Sequence, residues 1–583
     1  RTQIRLNPNK TEPKPNLLYK SKALIMNYAK DDLLFAPLGG SGEIGMNVNL
    51  YHYQDSWIMV DLGISFPDES TPGVDVILPD LKFIADRRDK LAGLVLTHGH
   101  EDHLGAIPYL WSQLGCPIYG SAFTLALLRR KLAESRGDFD IKLHEIGMNA
   151  PFKLGAFEIE MVALNHSIPD PAALAIRTDA GTVFHTGDWK FDKTPVLGTD
   201  TDAPRLAAIG DEGVLALVGD STNAMVDGRT GSESDAKAGL TDAIAKATGR
   251  VAITCFASNV ARIDSICKAA KANGRSVAIV GRALNRAISA AREVGYLADL
   301  PDLVPEGDVD LLPRDSIVIV CTGTQGEPRA AMARIAAAAH ETISLEAGDT
   351  VIYSSRQIPG NENAIARVQD MLIRRKIHLV TDQDAPVHVS GHPSRGEMIE
   401  MYGLIRPKIA IPVHGTARHL LAHAALADSC QVSQTILPDN GVVIRLNGDR
   451  AGIIDHVHTG ALTAEKGNII ELQADMMRAR RRMLWNGVVT VSVILNKAGA
   501  LCTVPSVAQS GLGDGDAASD YVAAASIAVE DAIEILGKTA RRNDASVEDV
   551  VSQAVRRVAR SMFGLRPIAQ VHIMRVGEED LRA

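Results

Sequence analysis

Thr97-His98-Gly99-His100-Glu101-Asp102-His103 is the stretch that decides the reading of this chain. Three histidines and an aspartate fall within six residues, at the end of the apolar run 93–97. Imidazole nitrogens and carboxylate oxygens are donors that suit a divalent first-row metal. A loop leaving a strand can turn His98 and His100 toward one ion and Asp102 and His103 toward a second. Four donors in so short a span would crowd a single tetrahedral ion. A histidine-rich polar surface loop is the plain alternative, and the rest of the chain speaks against it.

Outward from this loop, three more donors follow apolar strands. They are His166 in Ala163-Leu164-Asn165-His166-Ser167, Asp188 in His185-Thr186-Gly187-Asp188-Trp189, and His414 in Ile411-Pro412-Val413-His414-Gly415. Each alone reads as structural. Their shared place at strand ends predicts convergence on one rim. Asp61, in Val60-Asp61-Leu62-Gly63, either accepts a hydrogen bond from a ligating histidine, fixing its tautomer, or caps a turn. The run 39–45, Gly-Gly-Ser-Gly-Glu-Ile-Gly, lacks the GK[ST] ending of a P-loop and any complete dinucleotide fingerprint. It reads as a tight strand–turn–strand close to the metal rim.

The surrounding pattern predicts an α/β chain of several units. Residues 33–225 hold many short apolar or alternating runs of strand length, with helices expected at 104–114 and 122–135. From about 235 the pattern becomes strictly alternating. Strands at 251–255, 276–280, 316–321 and 350–354 are separated by helices at 235–248, 259–273, 283–295 and 328–340, the mark of a parallel sheet with covering helices. Short strands return at 387–390, 409–413 and 442–445, so the second unit is inserted into the first. The expected division is 26–225 and 387–460 for the host, 226–386 for the insertion, 461–483 for a helical linker and 484–583 for a C-terminal unit. That last unit has strands at 487–495 and 568–576 and helices at 520–537 and 546–562. Residues 1–25, polar and Pro-rich, read as a leader foreign to the fold or a disordered tail.

Composition narrows the functional classes. The chain has 583 residues, 46% hydrophobic, 22% charged and 4% aromatic, enough for about three cores at ~100–200 residues per domain. No apolar run reaches the ~18 residues that cross a bilayer, so no membrane partner is expected. Six cysteines without a CxxC pair read as reduced thiols in a cytoplasmic protein. A net charge of −9 argues against a generally basic surface, though not against a local cationic groove.

His98 to His103 in the order HGHEDH, followed by His166 and Asp188 and preceded by Asp61, resemble the metallo-β-lactamase superfamily. Gly219-Asp220-Ser221-Thr222-Asn223-Ala224, the insertion, His388-Val389-Ser390-Gly391-His392 and Pro412-Val413-His414-Gly415 resemble its β-CASP nuclease branch. Thr324-Gln325-Gly326-Glu327-Pro328 and Ile358-Pro359-Gly360-Asn361-Glu362 fit that branch too. Within it the chain is most similar to the ribonuclease J family. The resemblance implies a metallo-β-lactamase αββα sandwich, an inserted parallel-sheet α/β β-CASP domain and a small α+β C-terminal domain. It implies two Zn2+ per subunit, with Mn2+ or Mg2+ as possible replacements. One ion would take His98, His100 and His166, the other Asp102, His103 and His414, with Asp188 between them. Asp102, Asp188 and His392 are the residues it implicates in catalysis, His392 as general acid or transition-state stabiliser. Asp220 would orient a metal ligand, while His388 and Ser390 would contact RNA phosphates.

The implied reaction is hydrolysis of RNA by a hydroxide that two cations ~3.5–4 Å apart activate, leaving 5′-phosphate ends. A pocket for a 5′-monophosphate is expected around Ser258, Ser355 and His388. Helix caps and turns are the other reading of the two serines. The implied activity is a 5′-to-3′ exonuclease, with endonuclease activity possible, in RNA decay and in rRNA and mRNA maturation. The expected assembly is a homodimer or homotetramer through the C-terminal unit. A DNA-directed β-CASP nuclease, a small-molecule metallo-hydrolase and a non-enzymatic RNA-binding scaffold are the competing classes.

Overall fold

The structure is a computed structural model that describes residues 28–577 apart from Glu69, Arg136, Asp138, Thr199, Pro359, Asp449, Arg450 and Lys466. The expectation for residues 1–25 lies outside the described residues.

Two sheets face each other in the host domain. The first has eight strands in the order 452–456, 442–445, 34–39, 48–53, 56–60, 91–95, 118–120, 143–145. The second has seven, ordered 434–435, 409–413, 216–220, 181–185, 172–178, 157–163, 152–154. Phe35, Tyr51, Ile58 and Val95 from one sheet pack on Ile159, Met161, Ile176 and Ile411 from the other. Helices Ile107–Leu114 and Ala122–Glu134 cover the first sheet, while Ala203–Glu212, Arg395–Ile405 and Ala417–Ser429 cover the second. Both sheets are therefore buried on two faces. That explains why Leu34–Gly39 and Ile409–Val413 read as continuous apolar runs and not as alternating ones.

The insertion is a six-stranded sheet, 303–304, 276–280, 317–321, 251–254, 350–353, 378–380, with parallel pairing throughout. Helices lie on both of its faces. The C-terminal unit has strands Ser506–Ser510, Val488–Asn496 and Ile568–Val576 under helices Gly515–Ile535 and Asp544–Phe563. Here alternation is clean: Val489, Val491, Val493 and Leu495 are buried and their neighbours half-buried. Tyr521, Ala525, Val529 and Ile533, four residues apart, bury one face of the first helix. Among the described residues no helix is long and apolar enough to cross a membrane.

Three local expectations fail, each to a tertiary contact. Residues 461–471 form a hairpin, Ala461–Glu465 with Asn468–Glu471, turned at Gly467 (φ +89°) and added to Ile77–Pro79; only Asp475–Asn486 of the expected linker is helical. The expected helix 328–340 shrinks to Ala331–Ala336, because Arg375 takes the carbonyls of Ile335 and Ala336. The chain then turns through Ala338 (φ +54°) so that Ile343 and Leu345 can be buried. Residues 387–390 are not a strand, since the Val387 carbonyl accepts from Ser354 Oγ and Arg262 and not from a sheet neighbour.

Candidate metal centre

The strand Leu91–Val95 ends at the HGHEDH loop, and the strands Phe157–Ala163, Gly181–His185 and Ile409–Val413 end just before His166, Asp188 and His414. All seven predicted donors meet there. His98, His100, His166 and Asp188 present ligand atoms within 4.8 Å of one another, and so do Asp102, His103, Asp188 and His414. Asp188 belongs to both groups through one atom, Oδ2. It lies 3.9 and 3.8 Å from Nε2 of His98 and His166, and 3.2 and 3.5 Å from Nε2 of His103 and His414. His98 Nε2 and His166 Nε2 stand 3.0 and 3.1 Å from His100 Nδ1.

The partners behind the rings fix their tautomers. His166 Nδ1–H donates to the Gly391 carbonyl at 2.6 Å, His103 Nδ1–H to Asp61 Oδ2 at 2.7 Å, and His414 Nδ1–H to Asn47 Oδ1 at 2.9 Å. Thr97 Oγ1 donates to Asp61 Oδ2 at 2.8 Å, so it accepts from His98 Nδ1–H at 3.0 Å. Each of these four rings then turns its Nε2 inward, toward a carboxylate that only accepts, and His103 Nε2 also meets Asn47 Nδ2 at 3.1 Å. Acceptors facing acceptors at these distances repel unless a cation lies among them, and the donor set suits zinc or another divalent first-row ion.

The electrostatics agree. Desolvation holds His98 and His166 well below 6.5 and brings His100 to about 4, so they stand as the neutral form that ligates a metal. Burial acts to lower the pKa of His103, but Asp188, Asp102 and Asp61 raise it well above 6.5. That is the response of a negative site to any cation, a proton included. Burial likewise opposes ionisation of Asp188, yet His414, His103 and His392 hold its carboxyl well below 3.8.

Backbone geometry keeps the rim tight. Asp61 (φ +63°) and His414 (φ +53°) both adopt the left-handed region. A Cβ on Gly63 would lie 1.6 Å from the Asp102 carbonyl oxygen, so only glycine lets that strand end approach the loop. The glycine-rich run 39–45 also belongs here: Ser41–Gly42 pairs with Gly415–Thr416, and the Gly40 carbonyl accepts the His414 N–H.

Of the remaining predicted residues, Asp61 bonds His103, as its outer-layer reading requires. Asp220 differs from expectation. Its Oδ2 meets His392 Nδ1 at 2.8 Å and its Oδ1 accepts the Thr222 N–H, so its bonds orient His392 and not one of the inward-facing ligands. His392 Nδ1 is 3.9 Å from Asp188 Oδ2. Burial acts to lower its pKa, but Asp220 and Asp188 carry it to about 9. Ser390 Oγ accepts from Asn223 Nδ2 at 2.9 Å, and the same amide nitrogen donates to the His392 carbonyl. His388 Nδ1 lies 3.2 Å from Arg262, which also bonds Ser354. Ser258 and Ser355 stand on loops leaving the neighbouring strands Val251–Thr254 and Thr350–Tyr353, and Asn259, not Ser258, caps the next helix.

Sequence reasoning missed Asn47, Asn223, Thr97 and the Gly391 carbonyl. Thr97, Asn223 and Gly391 lie inside stretches quoted above, but what their hydroxyl, amide and carbonyl do shows only once distant segments meet.

An αββα sandwich with this donor rim, interrupted by a parallel α/β insertion, defines a metallo-β-lactamase-type hydrolase of the β-CASP branch. The chain matches the beta-lactamase superfamily domain over residues 57–209 and the ribonuclease J beta-CASP domain over 248–372. It also matches the Zn-dependent metallo-hydrolase RNA specificity domain over 385–432 and the ribonuclease J C-terminal domain over 475–576. It is 42% identical over 565 residues to a ribonuclease J of Sinorhizobium meliloti, covering 96% of this chain and 100% of that one. A ribonuclease J of Mycolicibacterium smegmatis is 43% identical over 473 residues, covering 80% and 84%. A crystal structure of a protein of unknown function from Enterococcus faecalis superposes with a TM-score of 0.51 at 19% identity, over 71% of this chain and 100% of that one, a likeness of fold alone. The chain belongs to the ribonuclease J family.

Proposed function

We propose that the protein is a metal-dependent ribonuclease that hydrolyses RNA from a 5′-monophosphate end toward the 3′ end, with endonucleolytic cutting as a second mode. The observation that carries this reading is the ring of inward Nε2 lone pairs around Asp188 Oδ2, with His392 held on Asp220 beside it. His98, His100 and His166 would hold one cation and Asp102, His103 and His414 the other, with Asp188 shared. Such a pair supplies an activated water and neutralises charge on the phosphate. Zn2+ fits the donors best, and Mn2+ or Mg2+ would serve in its place.

The protein's own groups do the rest. Asp61, Thr97, Asn47 and the Gly391 carbonyl keep the rings aimed, with Nε2 turned toward the rim. Asp220 holds His392 through Nδ1 and favours its protonated form, which would pass a proton to the departing 3′ oxygen. His388 and Ser390, on the loop beside Asn223, contact backbone phosphates. Ser258, Ser355 and His388 receive the 5′-phosphate. No group here calls on the ribose 2′-hydroxyl as nucleophile, so the products carry 5′-phosphates. We assign the activity to RNA decay and to rRNA and mRNA maturation in the cytoplasm, by a homodimer or homotetramer joined through the C-terminal unit.

The test is digestion of labelled RNA, DNA and a lactam with and without chelator, with analysis of the RNA ends and of bound metal. Chelator-sensitive cleavage of RNA to 5′-phosphate ends, lost in Asp102→Ala and His103→Ala, is expected. Products ending in 2′,3′-cyclic phosphate would refute the mechanism. Equal rates on 5′-monophosphate and 5′-triphosphate RNA would refute the end pocket.

A further inference from the structure

Three cations act on His388, and they differ in how their charge is met. Burial and then Arg262, Arg356 and Lys190 hold the pKa of His388 well below 6.5. Arg262 is matched by Glu233 at 2.5 Å, and Lys190 by Asp192 at 3.0 Å. Arg356 is exposed, and among the described residues no carboxylate pairs with it. Its side-chain contact is a 3.5 Å approach of Nη1 to Asn223 Oδ1. That same Asn223 holds Ser390 Oγ and the His392 carbonyl through Nδ2. The guanidinium therefore stands at the lip of the loop that carries His388, Ser390 and His392, with its charge unspent.

The loop bearing Arg356 is not left to itself. Gln325 is buried and uses both ends of its amide on that loop. Nε2 donates to the Arg356 carbonyl at 2.9 Å, while Oε1 accepts from the Ile358 N–H at 2.9 Å and from Asn361 Nδ2 at 3.3 Å. Gln325 is itself fixed, because its own N–H donates to Glu327 Oε2 at 3.0 Å. Its neighbour Gly326 (φ +74°) approaches so closely that a Cβ there would lie 2.4 Å from the Ala364 carbonyl carbon. The segment 324–328 with Ile358 and Asn361, in stretches conspicuous in the sequence, thus forms one brace whose product is the position of the Arg356 backbone.

We propose that Arg356 binds a backbone phosphate of the RNA track beside the metal rim and that Gln325 is the residue that positions it. The inference rests on the ribonuclease reading. A planar guanidinium with several free N–H groups suits a phosphate, and a rigid backbone beneath it lowers the entropy lost on binding. Because Asn223 links it to the Ser390–His392 loop, the phosphate it takes is close to the one being cleaved.

The experiment measures kcat and KM on 5′-monophosphate single-stranded RNA over a range of salt, in the full chain with its metal. The wild-type enzyme must cleave this RNA, and failure there would count against the ribonuclease reading and not against this one. Arg356→Ala is expected to raise KM by about tenfold, the worth of one charged hydrogen-bonding contact. The slope of log(kcat/KM) against log salt should lose about 0.7, the share of one phosphate on a single strand. Arg356→Lys should recover the slope and only part of KM. Gln325→Glu keeps the acceptor for Ile358 and Asn361 but removes the donor to Arg356. It should raise KM in the same direction, and in the double variant it should add nothing to Arg356→Ala. A wild-type KM and salt slope in Arg356→Ala would overturn the phosphate contact. Additive losses in the double variant would overturn the positioning role.

Discussion

Buried charge is handled in opposite ways at the metal rim and at the base of the insertion. Around Asp188 four Nε2 atoms and a second carboxylate converge on one buried oxygen, a set of donors that suits a cation. Around Arg262 every group has its complement: Glu233 takes Nε and Nη2, while Ser354 and the Val387 carbonyl take Nη1. The first set is built to be completed from outside, the second is complete as it folds. Burial alone therefore does not mark a binding site; a mismatch of donors and acceptors does.

The sharpest way to break this contrast is to remove the shared carboxylate. Asp188→Ala should lower RNA cleavage by more than about 10³-fold, beyond the ~10–100-fold expected of an outer-layer partner. Metal content and single-turnover cleavage measure it, and retained metal with retained cleavage would refute the shared role. Next comes the self-sufficient pair. Arg262→Met strands Glu233 and should cost about 3–5 kcal/mol of unfolding free energy, whereas Arg262→Met with Glu233→Leu should recover most of it. Equal losses in denaturant titrations of both variants would show that the pair is not the unit.

Asp61→Asn keeps the shape but weakens the acceptor for His103 and Thr97. Metal affinity should fall by about 10–100-fold, read by chelator competition, with a smaller change in stability. Smaller still is a pH effect away from the rim. Hydrogen bonds from Arg205, with Arg177 beside it, hold Glu160 below 4.5. A carboxyl lowered on folding contributes stability above pH 4.5 that is lost as pH falls through its folded value. Glu160→Gln should therefore flatten the acid limb of the stability curve below pH 4.5. An unchanged limb would assign it elsewhere. In the C-terminal unit, Tyr521→Phe removes the bond to the Val555 carbonyl and should cost about 0.5–1.5 kcal/mol.

What could be read from the sequence follows the same physics. The seven donors were legible because four of them crowd one loop and the family resemblance ties the other three, each ordinary alone, to the same rim. The alternation in 251–353 was legible because both faces of that sheet are covered. Asn47 was not, since an amide in a loop is ordinary until its partner His414 arrives from 367 positions away, and the bonds of Asn223 to the 390–392 loop show only in the fold. The helix at 331–336 was overdrawn because alanine favours helix everywhere, while Arg375 decides where it stops. Residues 461–471 were misread because their strand partner, Ile77–Pro79, lies nearly four hundred positions earlier.

The tie between His166 and the Gly391 carbonyl spans 225 positions of sequence, and the tie between Asn47 and His414 spans 367. A growing polypeptide on the ribosome lacks both until the segment 391–414 has emerged. Its first half carries six of the seven rim donors but lacks His414 and the carbonyl that aims His166.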